Sequence, residues 1–219
     1  DLSFEISKGE TLGLVGESGC GKTITGLAIL DLVGTGGRAT HGSIKLNDTE
    51  LRALSAHQLE KVRGNEVSMV FQDPTTSLNP AFTVGEQIAE VLRTKQGMST
   101  KAAWAQAIKL ISRVGIPNAA ERAKSYPHEL SGGMAQRIAI ARGLSCDPLL
   151  LIADEPTTAL DVTVQQGILD LFRDLQDEFG MAILFITHDL AVAADICDRI
   201  CVMYAGEIVE MASVDELFS

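Results

Sequence analysis

The chain has 219 residues, 46% apolar, 21% charged and 5% aromatic, with six prolines. That is globular rather than disordered composition, in a chain long enough to bury roughly 70% of its unfolded surface. A formal charge of −11 without any basic block excludes a general nucleic-acid binder, although a few local donors suffice for a small anion.

Leu2, Phe4 and Ile6 alternate ahead of a turn at Lys8-Gly9-Glu10. This predicts a hairpin whose second strand, residues 11–15, is apolar throughout and buried on both faces. A Gly-rich loop follows, then helical spacing over residues 23–33 (Ile24, Leu27, Ala28, Leu32) ending at Gly34. Short strands are expected at 42–48 and 66–71, buried strands at 149–153 and 181–187, and a further one at 199–204. Ala205-Gly206-Glu207 turns the chain back into 208–211. Residues 83–93 and 100–114 carry helical spacing, with Ser99 and Thr100 as candidate caps and Gly115-Ile116-Pro117 as a stop. Residues 77–142 contain no good strand, so the reading divides the chain into a core at 1–76 and 143–219 and an inserted helical subdomain at 77–142.

Mean hydropathy is +0.16, yet the longest apolar runs fall far short of the ~20 residues that span a bilayer. No N-terminal stretch reads basic, then apolar, then small, as a signal peptide does. The chain therefore reads as soluble. Cys20, Cys146, Cys197 and Cys201 lack CxxC spacing and read as reduced cytosolic thiols. Cys197 and Cys201 could share one helix face, but no second ligand pair is near them.

Three motifs carry chemistry. Gly16-Glu17-Ser18-Gly19-Cys20-Gly21-Lys22-Thr23 fits GxxxxGK[ST] between a buried strand and a helix. Its glycines let successive backbone N–H groups face a phosphate at a helix N-terminus. Lys22 reaches the β- and γ-phosphates, and Thr23 offers its hydroxyl to Mg²⁺. The strand at 149–153 ends in Asp154-Glu155-Pro156, where ligand chemistry gathers in open α/β sheets. Strand alternation would send the two carboxylates to opposite faces, Asp154 to hold Mg²⁺ through its water and Glu155 to polarise the attacking water. Leu130-Ser131-Gly132-Gly133-Met134-Ala135-Gln136-Arg137 opens a helix with a Ser cap and two glycines, a second place for an anion.

Residues 130–136 resemble the LSGGQ-type signature of ABC-transporter ATPases, with Met134 where that family most often has Gln. The remaining motifs fall in family order: the P-loop, Gln72 after a strand, the signature, the Asp-Glu strand end, a D-loop at Ala159-Leu160-Asp161, and His188 after strand 181–187. The resemblance covers essentially the whole chain. It implies an α/β fold: a P-loop NTPase core with a small antiparallel β subdomain and an inserted α-helical subdomain. It also implies ATP and Mg²⁺ as ligands, held in a head-to-tail dimer between the P-loop of one protomer and the signature of the other. Residues Gly16, Glu17, Ser18, Gly19, Cys20, Gly21, Lys22 and Thr23 would then bind nucleotide, with Ser131, Gly132, Gly133 and Gln136 arriving from the partner. Thr23, Gln72 and Asp154 would serve the metal, and Glu155, His188, Lys22 and Gln72 catalysis. Phe71-Gln72-Asp73-Pro74-Thr75-Thr76-Ser77-Leu78-Asn79-Pro80 is similar to the Q-loop of the oligopeptide, dipeptide and nickel importer ATPases. So are Gly13-Leu14-Val15-Gly16-Glu17-Ser18-Gly19, Tyr126-Pro127-His128-Glu129 and Val202-Met203-Tyr204-Ala205-Gly206.

That subgroup implies transmembrane permease subunits and a second ATP-binding subunit as partners, no nucleic acid, and a cytoplasmic place on the inner face of the membrane. The family's adenine-stacking aromatic lies upstream of Asp1, and the subgroup tends to continue beyond Phe218. The sequence thus reads as a piece of a longer protein. A soluble ABC-type ATPase of DNA repair or translation is the competing reading. Such repair proteins typically carry a coiled coil or zinc modules between P-loop and signature, an interval that is compact here.

Overall fold

The structure is a computed structural model that describes residues 2–34, 37 and 39–219; Asp1 lies outside the described residues, as does the side chain of Thr75. In chain order, β1 (Thr11–Gly16) leads through the Gly-rich loop into α1 (Lys22–Ile29). A small antiparallel pair, β2 (Lys45–Leu46) and β3 (Thr49–Glu50), precedes α2 (Ala56–Val62) and β4 (Val67–Val70). Then come α3 (Pro74–Ser77), α4 (Val84–Gln96), α5 (Thr100–Arg113), α6 (Ala119–Arg122) and α7 (Gly132–Gly143). The chain closes with β5 (Leu150–Asp154), α8 (Val162–Phe179), β6 (Ala182–Thr187), α9 (Leu190–Ile196), β7 (Arg199–Tyr204), β8 (Glu207–Ser213) and α10 (Val214–Leu217).

Six strands form one mixed sheet in the order β4-β5-β6-β1-β7-β8, all parallel except β8, which runs antiparallel to β7. Successive strand side chains point to opposite faces, and the core divides accordingly. Val15, Leu151, Ala153, Ile183 and Phe185 face α4, α5, α7 and α8 in one apolar cluster, where Phe172 meets Phe185 edge-on at 5.8 Å. Leu12, Leu14, Leu150, Ile152, Leu184 and Ile186 face the other way, toward Leu30, Leu51 and Leu59. Among the described residues every element between β4 and β5 is helical, and the first cluster runs unbroken from the sheet into this block.

The expected N-terminal hairpin does not form. Both hydrogen-bonding edges of β1 are taken by β6 and β7, so the preceding segment has no edge to pair with. Leu2, Phe4 and Ile6 instead lie against the second cluster, which explains their alternation without a ladder. The first helix stops at Ile29, earlier than its spacing suggests. Asp31 takes a positive φ of 49°, and Arg63 donates to the freed carbonyls of Leu30 (2.7 Å) and Asp31 (2.9 Å). Cys197 and Cys201 do not share a helix: Cys197 closes α9 and Cys201 lies within β7. Cys197 is buried, and desolvation pushes its thiol well above the ordinary range.

Candidate functional site

The carboxyl ends of β1, β4, β5 and β6 open on a cleft of about 620 Å³. The loop after β1 supplies its floor, and its glycines are there for room and for φ. A Cβ on Gly16 would stand 2.2 Å from the Met203 carbonyl oxygen of the neighbouring strand, and Gly21 takes φ +108° as the residue before α1. No side chain caps α1, so its first N–H groups remain available to a ligand. Lys22, 4% exposed, donates from Nζ to the carbonyls of Gly16 (2.7 Å) and Glu17 (2.9 Å). An ammonium has three donors; two are tied to the loop carbonyls, and the third meets only a long 4.0 Å contact to Cys20 Sγ that an anion can displace. This cradle fits a polyphosphate. Cys20 is buried beneath it, its Sγ 4.0 Å from Lys22 Nζ.

The Thr23 hydroxyl donates to Asp154 Oδ1 at 3.1 Å. Asp154 is buried, and desolvation pushes its carboxyl above the usual carboxylate range. The Thr23 hydrogen bond pulls the other way, the Glu155 charge adds to the rise and Lys22 opposes it. A hydroxyl beside a buried carboxylate is oxygen chemistry suited to Mg²⁺.

Glu155 is not simply the next strand residue. It leaves β5 with φ +44°, its N–H bonded to the Ile186 carbonyl at 2.9 Å and its own carbonyl accepting from Thr158 N–H at 3.2 Å. A left-handed turn therefore separates the two carboxylates, where the sequence suggests strand alternation. Glu155 Oε2 accepts from Gln72 Nε2 at 3.0 Å and from the Thr158 hydroxyl at 2.9 Å, and His188 Nδ1 lies 3.2 Å away. The structure thus gathers Lys22, Thr23, Gln72, Glu155 and His188 around one cleft, with Glu17, Ser18, Gly19 and Gly21 on its loop wall. Thr158 and Ile24 line it too; sequence reasoning passed over both. For Thr158 the available signal was a hydroxyl one turn beyond Glu155.

The second helix start stands elsewhere. Ser131 caps α7, its Oγ accepting from Met134 N–H at 3.4 Å, and Ser131 and Gly132 are exposed. Among the described residues, none of Ser131, Gly132 and Gly133 lines the cleft. Gln136 departs from expectation. One turn further on, where α7 enters the core, it is 1% exposed and its Nε2 has no partner among the described residues. It is not placed to touch a ligand at the exposed helix start. Asp161 of the loop at 159–161 caps α8, accepting from Val164 N–H at 2.9 Å.

Fold and cleft together define a P-loop α/β protein. A family model described as "ABC transporter" matches residues 1–158, and the chain belongs to that family. The Oligopeptide transport ATP-binding protein AppD of Bacillus subtilis is 55% identical over 218 residues, covering 99% of this chain and 66% of that protein. The Oligopeptide transport ATP-binding protein OppD of Escherichia coli is 50% identical, covering 100% of this chain and 64% of that protein. The chain thus spans about two thirds of the length of these relatives. The dimeric post-hydrolysis structure of the ATP-binding cassette MJ0796, bound to ADP and Pi, matches with TM-score 0.85 at 30% identity. That match covers 96% of this chain and 88% of the other.

Proposed function

We propose that the chain is the ATP-hydrolysing part of a membrane importer for di- or oligopeptides or a related solute. The observation that carries this reading is the separation of the two anion-ready helix starts: Lys22 and Glu155 share one cleft, while Ser131 and Gly132 are exposed away from it. A second cassette turned head to tail supplies the missing signature, and the cassette match is to a dimer.

In this reading the loop 16–23 cradles the phosphates of ATP, with Lys22 on the β- and γ-phosphates. Thr23 and Asp154 hold Mg²⁺, with Gln72 beside it. When bound, Mg²⁺ would neutralise charge that develops on the phosphates. Glu155 accepts the proton of the attacking water. His188 and Gln72 hold its carboxylate, and Ser131, Gly132 and Gly133 of the second cassette close on the γ-phosphate. Residues 1–76 and 143–219 form the ATPase core, and 77–142 the helical insert that meets permease subunits on the cytoplasmic face of the membrane. The second ATP-binding subunit is an identical or related chain, and nucleic acid is not a partner. No helix among the described residues is long and apolar enough to cross a membrane, so permease subunits provide the path.

The test is to tag the full-length protein in its own cell, extract the membranes gently and identify what co-purifies. A polytopic permease with bound peptide-transport activity is the expected result. Only soluble partners or nucleic acid, from demonstrably extracted membranes, overturns the importer assignment.

A further inference from the structure

Three groups meet on a single oxygen of Glu155. The Thr158 hydroxyl and Gln72 Nε2 both donate to Oε2, and His188 Nδ1 is within 3.2 Å of it. A carboxylate offers about two lone-pair sites per oxygen, so Oε2 is fully engaged. Among the described residues no donor reaches Oε1. The two oxygens therefore have different work available to them: one is an anchor, the other is open to accept from water.

The three contacts are not equivalent. Gln72 and His188 are exposed and follow other strands, β4 and β6. Thr158 is less exposed than either and belongs to Glu155's own turn, tied to it by its backbone N–H as well as its hydroxyl. A non-glycine residue with positive φ persists where its surroundings over-determine it, and such residues cluster at functional sites. Glu155 is held from in front by Ile186 and from behind by Thr158.

We propose that Thr158 is a positioning residue for ATP hydrolysis. By occupying Oε2 it fixes the rotamer of Glu155 and leaves Oε1 to the attacking water. The water oxygen bonds to the γ-phosphorus, the bond from that phosphorus to the β–γ bridging oxygen breaks, and the water's proton passes to Oε1. ADP and inorganic phosphate leave. The inference rests on the reading of Glu155 as the base, and it adds that the two carboxylate oxygens divide the work.

Thr158→Val keeps the side-chain shape and removes the hydroxyl; Thr158→Ser keeps the hydroxyl and removes the methyl. Each is compared with the parent in the assembled importer, by ATP turnover and thermal melting. A general base contributes about 10²–10⁴-fold, and loss of its orientation is expected to remove roughly tenfold of that from kcat in Thr158→Val. KM for ATP stays within about twofold, since the lost hydroxyl is spent on Glu155 Oε2. Thr158→Ser restores kcat to within about twofold of the parent. Should Thr158→Val melt early, Thr158→Ala gives the same comparison with less bulk. The proposal fails if Val turns over like the parent, if Ser is as slow as Val, or if the loss appears in KM alone. Glu155→Gln, run alongside, separates the two ideas. If it retains parental turnover, the base reading falls and takes this proposal with it. If it is inactive while Val is fully active, only the role of Thr158 falls.

Discussion

At the residue scale, the buried Asp154 shows a cost borne for the site. Desolvation holds its carboxyl above the usual range, so the folded state binds its proton more tightly than the unfolded chain does. By linkage, its ionisation subtracts from stability as pH rises from the unfolded pKa through the raised folded one. Asp154→Asn removes that charge and keeps an oxygen for the Thr23 hydroxyl. Without nucleotide or metal, this variant should melt at a higher temperature than the parent at pH 7. It should lose ATP turnover. The gain should shrink as pH falls toward the carboxyl range; a lower melting temperature at pH 7 would refute the account. Lys22→Ala acts differently, removing the ammonium that Gly16 and Glu17 hold in place. Its expected signature is weaker binding of a fluorescent ATP analogue, and unchanged affinity would contradict the cradle. The motif spacing already pointed to Lys22, Thr23, Gln72, Glu155 and His188, which the fold brings to one cleft. It could not show that Glu155 turns left-handed, or that side chains from three segments meet at one of its oxygens, because those facts arise only when β4, β5 and β6 lie side by side.

At the scale of elements, the turn after α3 is held by one buried amide. Gln87 of α4 accepts from Asn79 N–H at 2.9 Å and donates to the carbonyls of Asn79 (2.9 Å) and Phe82 (3.1 Å). It is only 5% exposed, whereas Asn79 and Phe82 are exposed. Gln87→Leu preserves bulk and removes these three hydrogen bonds, while the Asn79 carbonyl keeps the Phe82 N–H at 3.3 Å; an ordinary hydrogen bond contributes about 0.5–1.5 kcal/mol. The melting temperature should drop by several degrees and amide exchange should quicken at residues 79–82; unchanged exchange there would show that the strap is dispensable. Helices such as α4 and α5 were legible because their apolar steps and the Ser99 cap agree locally, although α4 runs on to Gln96 and ends at Gly97. The 18-residue α8 carries signals of the same kind, an Asp161 cap and buried Ile168, Leu171, Phe172 and Leu175. The N-terminal strand failed for a deeper reason. Alternation reports that one face is buried, which Leu2, Phe4 and Ile6 satisfy; whether a ladder partner is free depends on sheet order, and no local pattern encodes that.

At the scale of the whole molecule, the issue is where the second helix start acts. Gly132 is exposed, has no positive φ, and a Cβ there meets only Leu160 Cδ2 at 3.7 Å, an ordinary contact. Gly132→Glu is therefore tolerated by the fold and places a negative charge where the proposed partner's γ-phosphate would arrive. Alone, Gly132→Glu should lose most ATP turnover, and so should Lys22→Ala. Mixed in equal amounts, the two chains behave differently if each site draws on both protomers. In a mixed dimer, the intact P-loop of one chain meets the intact signature of the other, giving one sound site of two. Random pairing makes half the dimers mixed, so turnover should recover to about a quarter of the parental rate in a two-fold symmetric assembly with independent sites. If the signature served the P-loop of its own chain, every protomer would carry a defect in its only site and the mixture would stay inactive. Recovery should also fall on dilution, because a composite site exists only while the chains are together.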